Sequence, residues 1–109
     1  MAEAEVARID AWLWRARFFR SRSQAGAKAA KGTIRLRRAG DVTRIDKASR
    51  TIRVGDELTL AIGARVIAVR VASLGKRRGP PAEARGLYEL LDAGQALPVA
   101  VDKMGGAPR

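Results

Sequence analysis

Basic side chains dominate the first third of the chain, and they are the residues best suited to a specific chemistry. Between residues 8 and 38 the only acid is Asp10. Guanidinium and ammonium groups at this density bind phosphates and displace the counterions of a polyanion. The basic residues of this segment are Arg8, Arg15, Arg17, Arg20, Arg22, Lys28, Lys31, Arg35, Arg37 and Arg38. The segment therefore favours a phosphate-binding surface over the alternative, a solvated cationic face.

The composition of the whole chain favours the same class of partner. Its 109 residues include 22 Lys and Arg against 11 Asp and Glu, which is a formal net charge of +11. Nucleic acid is the commonest polyanion in a cell, and acidic residues would serve solubility better than basic ones. Because 47% of the residues are hydrophobic, we expect a folded chain, and its length suits one domain.

Catalytic chemistry has little support in the sequence. The chain contains no His and no Cys, so it lacks the usual general base, the thiolate nucleophile and the commonest metal ligands. No serine has a histidine partner, and no pair of carboxylates shows a catalytic pattern. The residues considered in this way are Ser21, Ser23, Ser49, Ser73, Asp41, Asp46, Asp56 and Glu57. We therefore predict that the protein is not an enzyme and holds no metal ion or cofactor.

A second basic cluster comprises Lys76, Arg77 and Arg78, which precede Gly79 and a pair of prolines. Such a stiff turn can extend a phosphate-binding surface, or it can be an ordinary exposed loop. The sequence favours neither interpretation over the other.

Four of the five aromatic residues lie close together, at Trp12, Trp14, Phe18 and Phe19. At helical spacing Trp12 and Phe19 share the core face, while Trp14 and Phe18 fall on another face beside arginines. There they would either stack on unpaired bases or pack in the core. Because large aromatic side chains are usually buried, we expect core packing, with Tyr88 of a later element as a cover.

Two helices are predicted to position these side chains. The first begins at Asp10, a suitable N-cap, and ends near Phe19. The second begins at Ser21, whose hydroxyl can accept from the Gln24 amide in a capping box, and ends at Gly32. The apolar face of the first helix is Ile9, Trp12, Leu13, Ala16 and Phe19; the second has a small face, Ala25, Gly26, Ala29 and Ala30, and a polar row, Gln24, Lys28 and Lys31.

The remainder of the chain reads mainly as strands. Alternation predicts them in "TIRLR", "TIRVGDELTLAI" and "RVIAVRVASL", with a turn or bulge at Gly55-Asp56. "RRAGDVTRIDKAS" reads as a long polar connection, and "PAEARGLYELLD" as a short helix that starts near Pro81. The apolar stripe of that helix is Ala84, Leu87, Tyr88 and Leu91. The predicted fold class is therefore α+β, with two packed N-terminal helices, a small mainly antiparallel sheet and a short C-terminal helix.

An ordered set of motifs resembles a known family. "RIDAWLWRARFFRSRSQAGAKAAKGTIRL" resembles the alpha-L RNA-binding motif, the domain named after small-subunit ribosomal protein S-four, and "VGDELTL" matches the motif's later turn and strand. Trp12-Leu13-Trp14, the Ala16-Arg17-Phe18 that follows, and "KRRGPPAEARGLYE" are similar to the ribosome-associated heat shock protein fifteen family. The resemblance covers the motif (8–62) and an extra strand, basic loop and C-terminal helix of the same domain (63–91). Small residues, Gly and Pro predict a flexible tail (92–109).

The resemblance implies an RNA-binding protein. Because the sequence shows no apolar signal core and no run long enough for a membrane span, we also expect it to be cytoplasmic. Such proteins bind ribosomal RNA, and the family is associated with free large subunits that carry a stalled nascent chain, in rescue or recycling under heat stress. Peptidyl transfer RNA and DNA are further candidate partners; we expect a monomer and no membrane contact. With the basic clusters added to the helices of the motif, the predicted RNA-contacting residues are Arg8, Arg15, Arg17, Arg20, Ser21, Arg22, Gln24, Lys28, Lys31, Arg37, Arg38, Lys76, Arg77 and Arg78.

One departure from the family and two rival functions accompany this hypothesis. The family usually has an Asn-Gly turn after the first strand, which is absent here, so we expect the longer connection in its place. The first rival is an accessory RNA-binding subunit of a pseudouridine synthase type enzyme, because the same motif often accompanies such enzymes. The second is non-specific binding of DNA or RNA by charge alone.

Overall fold

The computed structural model describes residues 5–91 of the chain. These residues form an α+β fold, which confirms the predicted class, while the predicted tail lies outside the described residues. The elements in chain order are β1 (Ala7–Arg8), α1 (Ile9–Arg15), α2 (Arg22–Ala30), β2 (Ile34–Arg38), β3 (Asp41–Ile45), β4 (Thr51–Ile52), β5 (Glu57–Ile62), β6 (Arg65–Val71), α3 (Pro81–Ala84), a 3-10 turn (Arg85–Leu87) and β7 (Tyr88–Leu90).

A five-stranded antiparallel sheet in the order β3-β2-β5-β6-β7 carries the helices on one face. β1 pairs with β4 in a separate short ribbon. The inner face of the sheet and the two helices share one core, whose fully buried members include Trp12, Leu13, Ile34, Leu36, Leu58, Leu60, Val69 and Val71. Because side chains alternate along a strand, Arg35 and Arg37 of β2 lie on the outer face. The longest helix within residues 5–91 has nine residues, too few to cross a bilayer.

α1 ends at Arg15, about one turn earlier than predicted. Arg17 adopts a left-handed backbone with φ of +66° and donates its N–H to the carbonyl of Trp14. The Phe18 N–H donates to the carbonyl of Leu13, which completes a Schellman motif. This ending was missed because its left-handed position, usually Gly, is an arginine here.

The start of α1 also differs from the prediction. Asp10 lies inside the helix and not at its N-cap, which is Arg8. The Asp10 carboxylate instead accepts a hydrogen bond from the Ala11 N–H at 2.7 Å. The Ile9 N–H donates to the carbonyl of Arg50, so the first turn is fixed by the loop after β3.

The predicted capping of α2 is confirmed. The Ser21 hydroxyl accepts from the Gln24 N–H at 3.0 Å, and the Gln24 side-chain oxygen accepts from the Arg20 N–H at 3.1 Å. The reciprocal bond thus reaches one residue further back than in the standard capping box. Gly32 follows the helix with φ of +77°, as expected for the residue that ends it.

The small face of α2 lets the helix approach its neighbours closely. Ala25 and Ala29 are fully buried in the core. A Cβ on Gly26 would lie only 3.2 Å from the Cβ of Ala48, so glycine allows close packing there. Ala30 is exposed, contrary to the prediction that it belongs to this face.

The segment predicted as a long polar connection is a β-hairpin, so that prediction was wrong. β2 and β3 pair directly, with Arg38 opposite Asp41. Ala39 and Gly40 form the two-residue turn with φ of +53° and +87°, the conformation that Asn-Gly usually provides. The hairpin was missed because Ala is rare at positive φ and because β3 is exposed except at Ile45.

The C-terminal helix is shorter than predicted. α3 covers four residues from Pro81, and Tyr88 lies in β7 opposite Val71. The ring of Tyr88 packs against Phe18, with 4.8 Å between centroids. Tyr88 therefore covers the aromatic cluster as expected, but from a strand.

Candidate nucleic-acid interface

α2 and the residues that flank it carry three cations without an ion pair among the described residues. Within residues 5–91, Arg20, Lys28 and Lys31 have no carboxylate within ion-pair distance. Gln24, which begins the predicted row, uses its side-chain oxygen to cap the helix start. Capping at Ser21 and close packing on the core therefore hold these charges on a rigid support.

Asp10 organises two of the predicted RNA-contacting arginines. Its carboxylate, only 7% exposed, accepts two hydrogen bonds from Arg8 at 3.0 and 3.1 Å. Arg22 approaches the same carboxylate at 3.5 Å. Burial raises the pKa of Asp10, but hydrogen bonds from Arg8 and Ala11 and the charge of Arg22 outweigh it, so the pKa is lowered. The carboxylate therefore stays ionised and offsets part of the charge of both arginines.

Arginines at the end of α1 and in the loop of residues 75–79 form the hydrogen bonds that connect these two segments. Arg15 donates to the carbonyls of Leu74 and Gly75, both at 3.3 Å. Arg17 donates from Nε to the carbonyl of Gly79 at 2.8 Å. These bonds hold the loop of residues 75–79 against the end of α1.

Arg78, which lies in the loop, donates hydrogen bonds back to the end of α1 and to the turn that follows it. It donates to the carbonyls of Trp14 at 3.1 Å and Phe19 at 3.3 Å. Its guanidinium carbon also lies 5.8 Å from the centroid of the Trp14 ring, within cation–π range. Since the last carbonyls of a helix lack partners within it, Arg78 serves as a C-terminal cap for α1.

The other two residues of the second basic cluster remain near solvent. Lys76 is exposed and has no ion pair among the described residues, whereas Arg77 pairs with Glu83 at 3.1 Å. Both line an open groove of about 360 Å³ between the loop and α3. The loop is bonded to the end of α1, and its part in a phosphate-binding surface stays a prediction.

Arg37 and Arg38, the two predicted RNA-contacting residues at the end of β2, both have carboxylate partners. Arg38 makes a two-pronged bond to Asp56, a carboxylate that is 2% exposed. Arg37 lies 3.6 Å from Glu57 on the outer face of the sheet. Both guanidinium groups therefore meet carboxylates at or just before the start of β5.

Two arginines outside the predicted set lie beside the interface. Arg35 and Arg44 are directly opposite each other on β2 and β3, and both contact Gly32 at the end of α2. The signal that would have revealed the pair is the hairpin: once Ala39 and Gly40 are read as its turn, strand register places Arg44 opposite Arg35.

The aromatic cluster packs in the core more than it faces solvent. Trp12 is fully buried and donates from its indole N–H to the carbonyl of Ser73 at 2.8 Å. Phe18 packs between Trp12 and Tyr88, with centroid distances of 6.1 and 4.8 Å. Trp14 is partly buried beneath Arg78. Core packing, the expected interpretation, therefore holds for Phe18, whereas Trp14 is not among the side chains that pack against the core.

One known protein is similar to the chain in sequence. No protein-family model matches the chain. Over 90 residues it is 38% identical to the Heat shock protein 15 homolog of Haemophilus influenzae, a match that covers 82% of this chain and 63% of the relative. The chain thus spans less than two thirds of the curated relative's length.

A solved structure shares the fold. The trimeric structure of Heat Shock Protein 15 from Vibrio cholerae matches with a TM-score of 0.69 and 29% identity, over 80% of this chain and 83% of that one. Neither relative is named as an enzyme. Sequence identity and shared fold together relate this chain to the heat shock protein 15 family, whose known fold is the alpha-L motif.

Proposed function

We propose that the protein binds structured RNA through the surface formed by α2, the turn before it and the loop of residues 75–79. The observation that carries the proposal is the set of cations on this surface without carboxylate partners among residues 5–91: Arg20, Lys28, Lys31 and Lys76. The similarity of the chain to heat shock protein 15 relatives supports RNA as the polyanion that these cations bind.

The mechanism follows from how these charges are held. Side chains on a capped helix present phosphate-binding groups at fixed spacing, and each contact releases counterions from the nucleic acid. Arg15, Arg17 and Arg78 contribute by joining the loop to the end of α1. Specificity would then depend on the path of the RNA backbone more than on base edges, because structured RNA is recognised mainly by shape.

The proposal extends to ribosomal RNA of the large subunit and to rescue or recycling of stalled ribosomes under heat stress in the cytoplasm. This part is supported by the family relation and not by a contact in the structure. Crosslinking in heated cells, followed by identification of the bound RNA, tests it. Crosslinks confined to messenger RNA would count against it.

Competition between a structured fragment of large-subunit RNA and duplex DNA, at matched salt, tests RNA binding itself. We expect the RNA to be preferred, since the surface is shaped by a helix and a loop and is not a uniform cationic field. Equal affinities would support charge-driven, non-specific binding instead. Modification of the RNA by the purified protein would overturn the non-enzymatic prediction.

Oligomeric state is a separate question. We expect a monomer, whereas the relative from Vibrio cholerae is described as trimeric. Sedimentation velocity with and without RNA distinguishes the two, and a trimer in the absence of RNA would reject the monomer.

A further inference from the structure

Arg35 and Arg44 form a like-charge pair on the outer face of the sheet. They are direct cross-strand partners in the β2–β3 hairpin. Like charges in this arrangement destabilise a sheet. Among the described residues neither guanidinium has a carboxylate within ion-pair distance. The fold therefore keeps two uncompensated charges side by side.

Both guanidinium groups meet the end of α2. Arg35 donates from Nη1 to the carbonyl of Gly32 at 3.3 Å. Arg44 packs over the same residue, since a Cβ on Gly32 would lie 3.5 Å from both Cδ and Nε of Arg44. Lys31, exposed and without an ion pair within residues 5–91, is the preceding residue. Two guanidinium groups thus come together at Gly32, and the exposed Lys31 precedes that residue in the chain.

The neighbouring row of the sheet is neutralised in contrast. Arg37 lies 3.6 Å from Glu57, and Arg70 lies 3.2 Å from Glu57 and 2.8 Å from Glu89. These four residues occupy successive positions across β2, β5, β6 and β7. The row that contains Arg44 and Arg35 continues to Thr59 and Ala68 and includes no acid.

We propose that Arg35, Arg44 and Lys31 form a second phosphate-binding site for the backbone of the RNA strand that contacts α2. Two guanidinium forks and an ammonium group suit a phosphodiester, whose oxygens accept paired N–H donors. The anion would replace the missing carboxylate and relieve the repulsion within the pair. The inference rests on the proposed RNA-binding function and extends its surface from the helix to the sheet.

The test measures affinity of the full chain for the large-subunit RNA fragment over a series of salt concentrations. Arg35→Gln and Arg44→Gln each remove one charge but keep an apolar stem that can cover Gly32. Arg53→Gln removes the same charge from the exposed turn before β5, beside the opposite end of β2. We expect each of the first two variants to lower the slope of log K against log salt by about one, and Arg53→Gln to leave it unchanged.

The outcomes separate this site from the proposed function. If Lys28→Gln lowers the slope but Arg35→Gln and Arg44→Gln do not, or if Arg53→Gln lowers it equally, the second site is rejected and RNA binding stands. If the unchanged protein shows no salt-dependent RNA binding, both proposals fail. Should a variant not fold, the side-chain Nε–Hε NMR signals of the unchanged protein decide: those of Arg35 and Arg44 must shift on RNA addition, and that of Arg53 must not.

Discussion

Arg38 and Asp56 form a two-pronged pair, with Nε of the guanidinium 2.8 Å from Oδ1 and Nη2 2.7 Å from Oδ2. The second carboxylate oxygen also accepts from the Arg53 N–H at 2.8 Å. Arg38 is the last residue of β2 and Asp56 precedes β5, so the pair joins the end of β2 to the start of its neighbour in the sheet. Arg38, which the sequence analysis includes among the RNA-contacting residues because of its charge, is thus paired with Asp56 within the fold.

Arg38→Ala is expected to lower the free energy of unfolding by about 2–3 kcal/mol, because the buried Asp56 carboxylate loses its charged partner. Arg37→Ala, which removes a partly exposed pair, should cost less than about 1 kcal/mol. Urea denaturation of both variants measures the difference. Equal losses would show that the Arg38–Asp56 pair contributes no more than a surface pair.

Asp10→Asn is expected to change how stability depends on pH. Burial raises the Asp10 pKa, but the bonds from Arg8 and Ala11 and the charge of Arg22 bring it below its ordinary value of 3.8. Since the folded pKa is the lower one, ionised Asp10 contributes stability above about pH 4 that is lost as the pH falls through the folded pKa.

Urea denaturation from about pH 7 down to about pH 2.5 checks this linkage. Asp10→Asn should be less stable than the unchanged protein at neutral pH and should lose less stability on acidification. Arg8→Ala removes the principal stabilising hydrogen bond of the carboxylate and should reduce the acid dependence in part. Parallel pH curves for the unchanged protein and Asp10→Asn would contradict the assignment.

Arg17→Gly is expected to be more stable than Arg17→Ala by about 1 kcal/mol. Both variants lose the bond to the carbonyl of Gly79, but only alanine keeps a Cβ at φ of +66°. Thermal unfolding compares them. At Arg20, which is outside the left-handed region, the order should be reversed, with alanine the more stable. The same order at both positions would indicate that strain at Arg17 is negligible.

Lys28→Gln/Lys31→Gln is expected to lower the salt dependence of RNA binding by about two units of slope. Both ammonium groups lack a carboxylate partner within residues 5–91, whereas Arg22 shares Asp10 with Arg8. Arg22→Gln should therefore lower the slope by less than about one unit, which is half the change expected for the double lysine variant. RNA titrations at several salt concentrations measure the three slopes, and a larger effect of Arg22→Gln would place the contact nearer to Asp10.

Local signals in the sequence predicted the parts of the interface that depend on neighbouring residues. The capping of α2 by Ser21, its end at Gly32 and the burial of Ala25 and Ala29 follow from spacing within one helix. The hairpin after β2 did not follow, because Ala39 takes a conformation that its side chain disfavours and the exposed β3 gives little apolar alternation. The early end of α1 was not predicted either, because Arg17 takes a left-handed conformation that its side chain disfavours.

By itself, the sequence determined the fold class, the concentration of positive charge in residues 8–38 and the thin, capped helix that carries part of it. Only the tertiary structure decided which cations remain available. Arg38 and Asp56 are 18 residues apart, and Arg78 caps a helix that ends more than 60 residues before it. Whether a guanidinium meets a carboxylate, a carbonyl or solvent depends on which distant segments the core brings beside it, and residue type alone does not specify that.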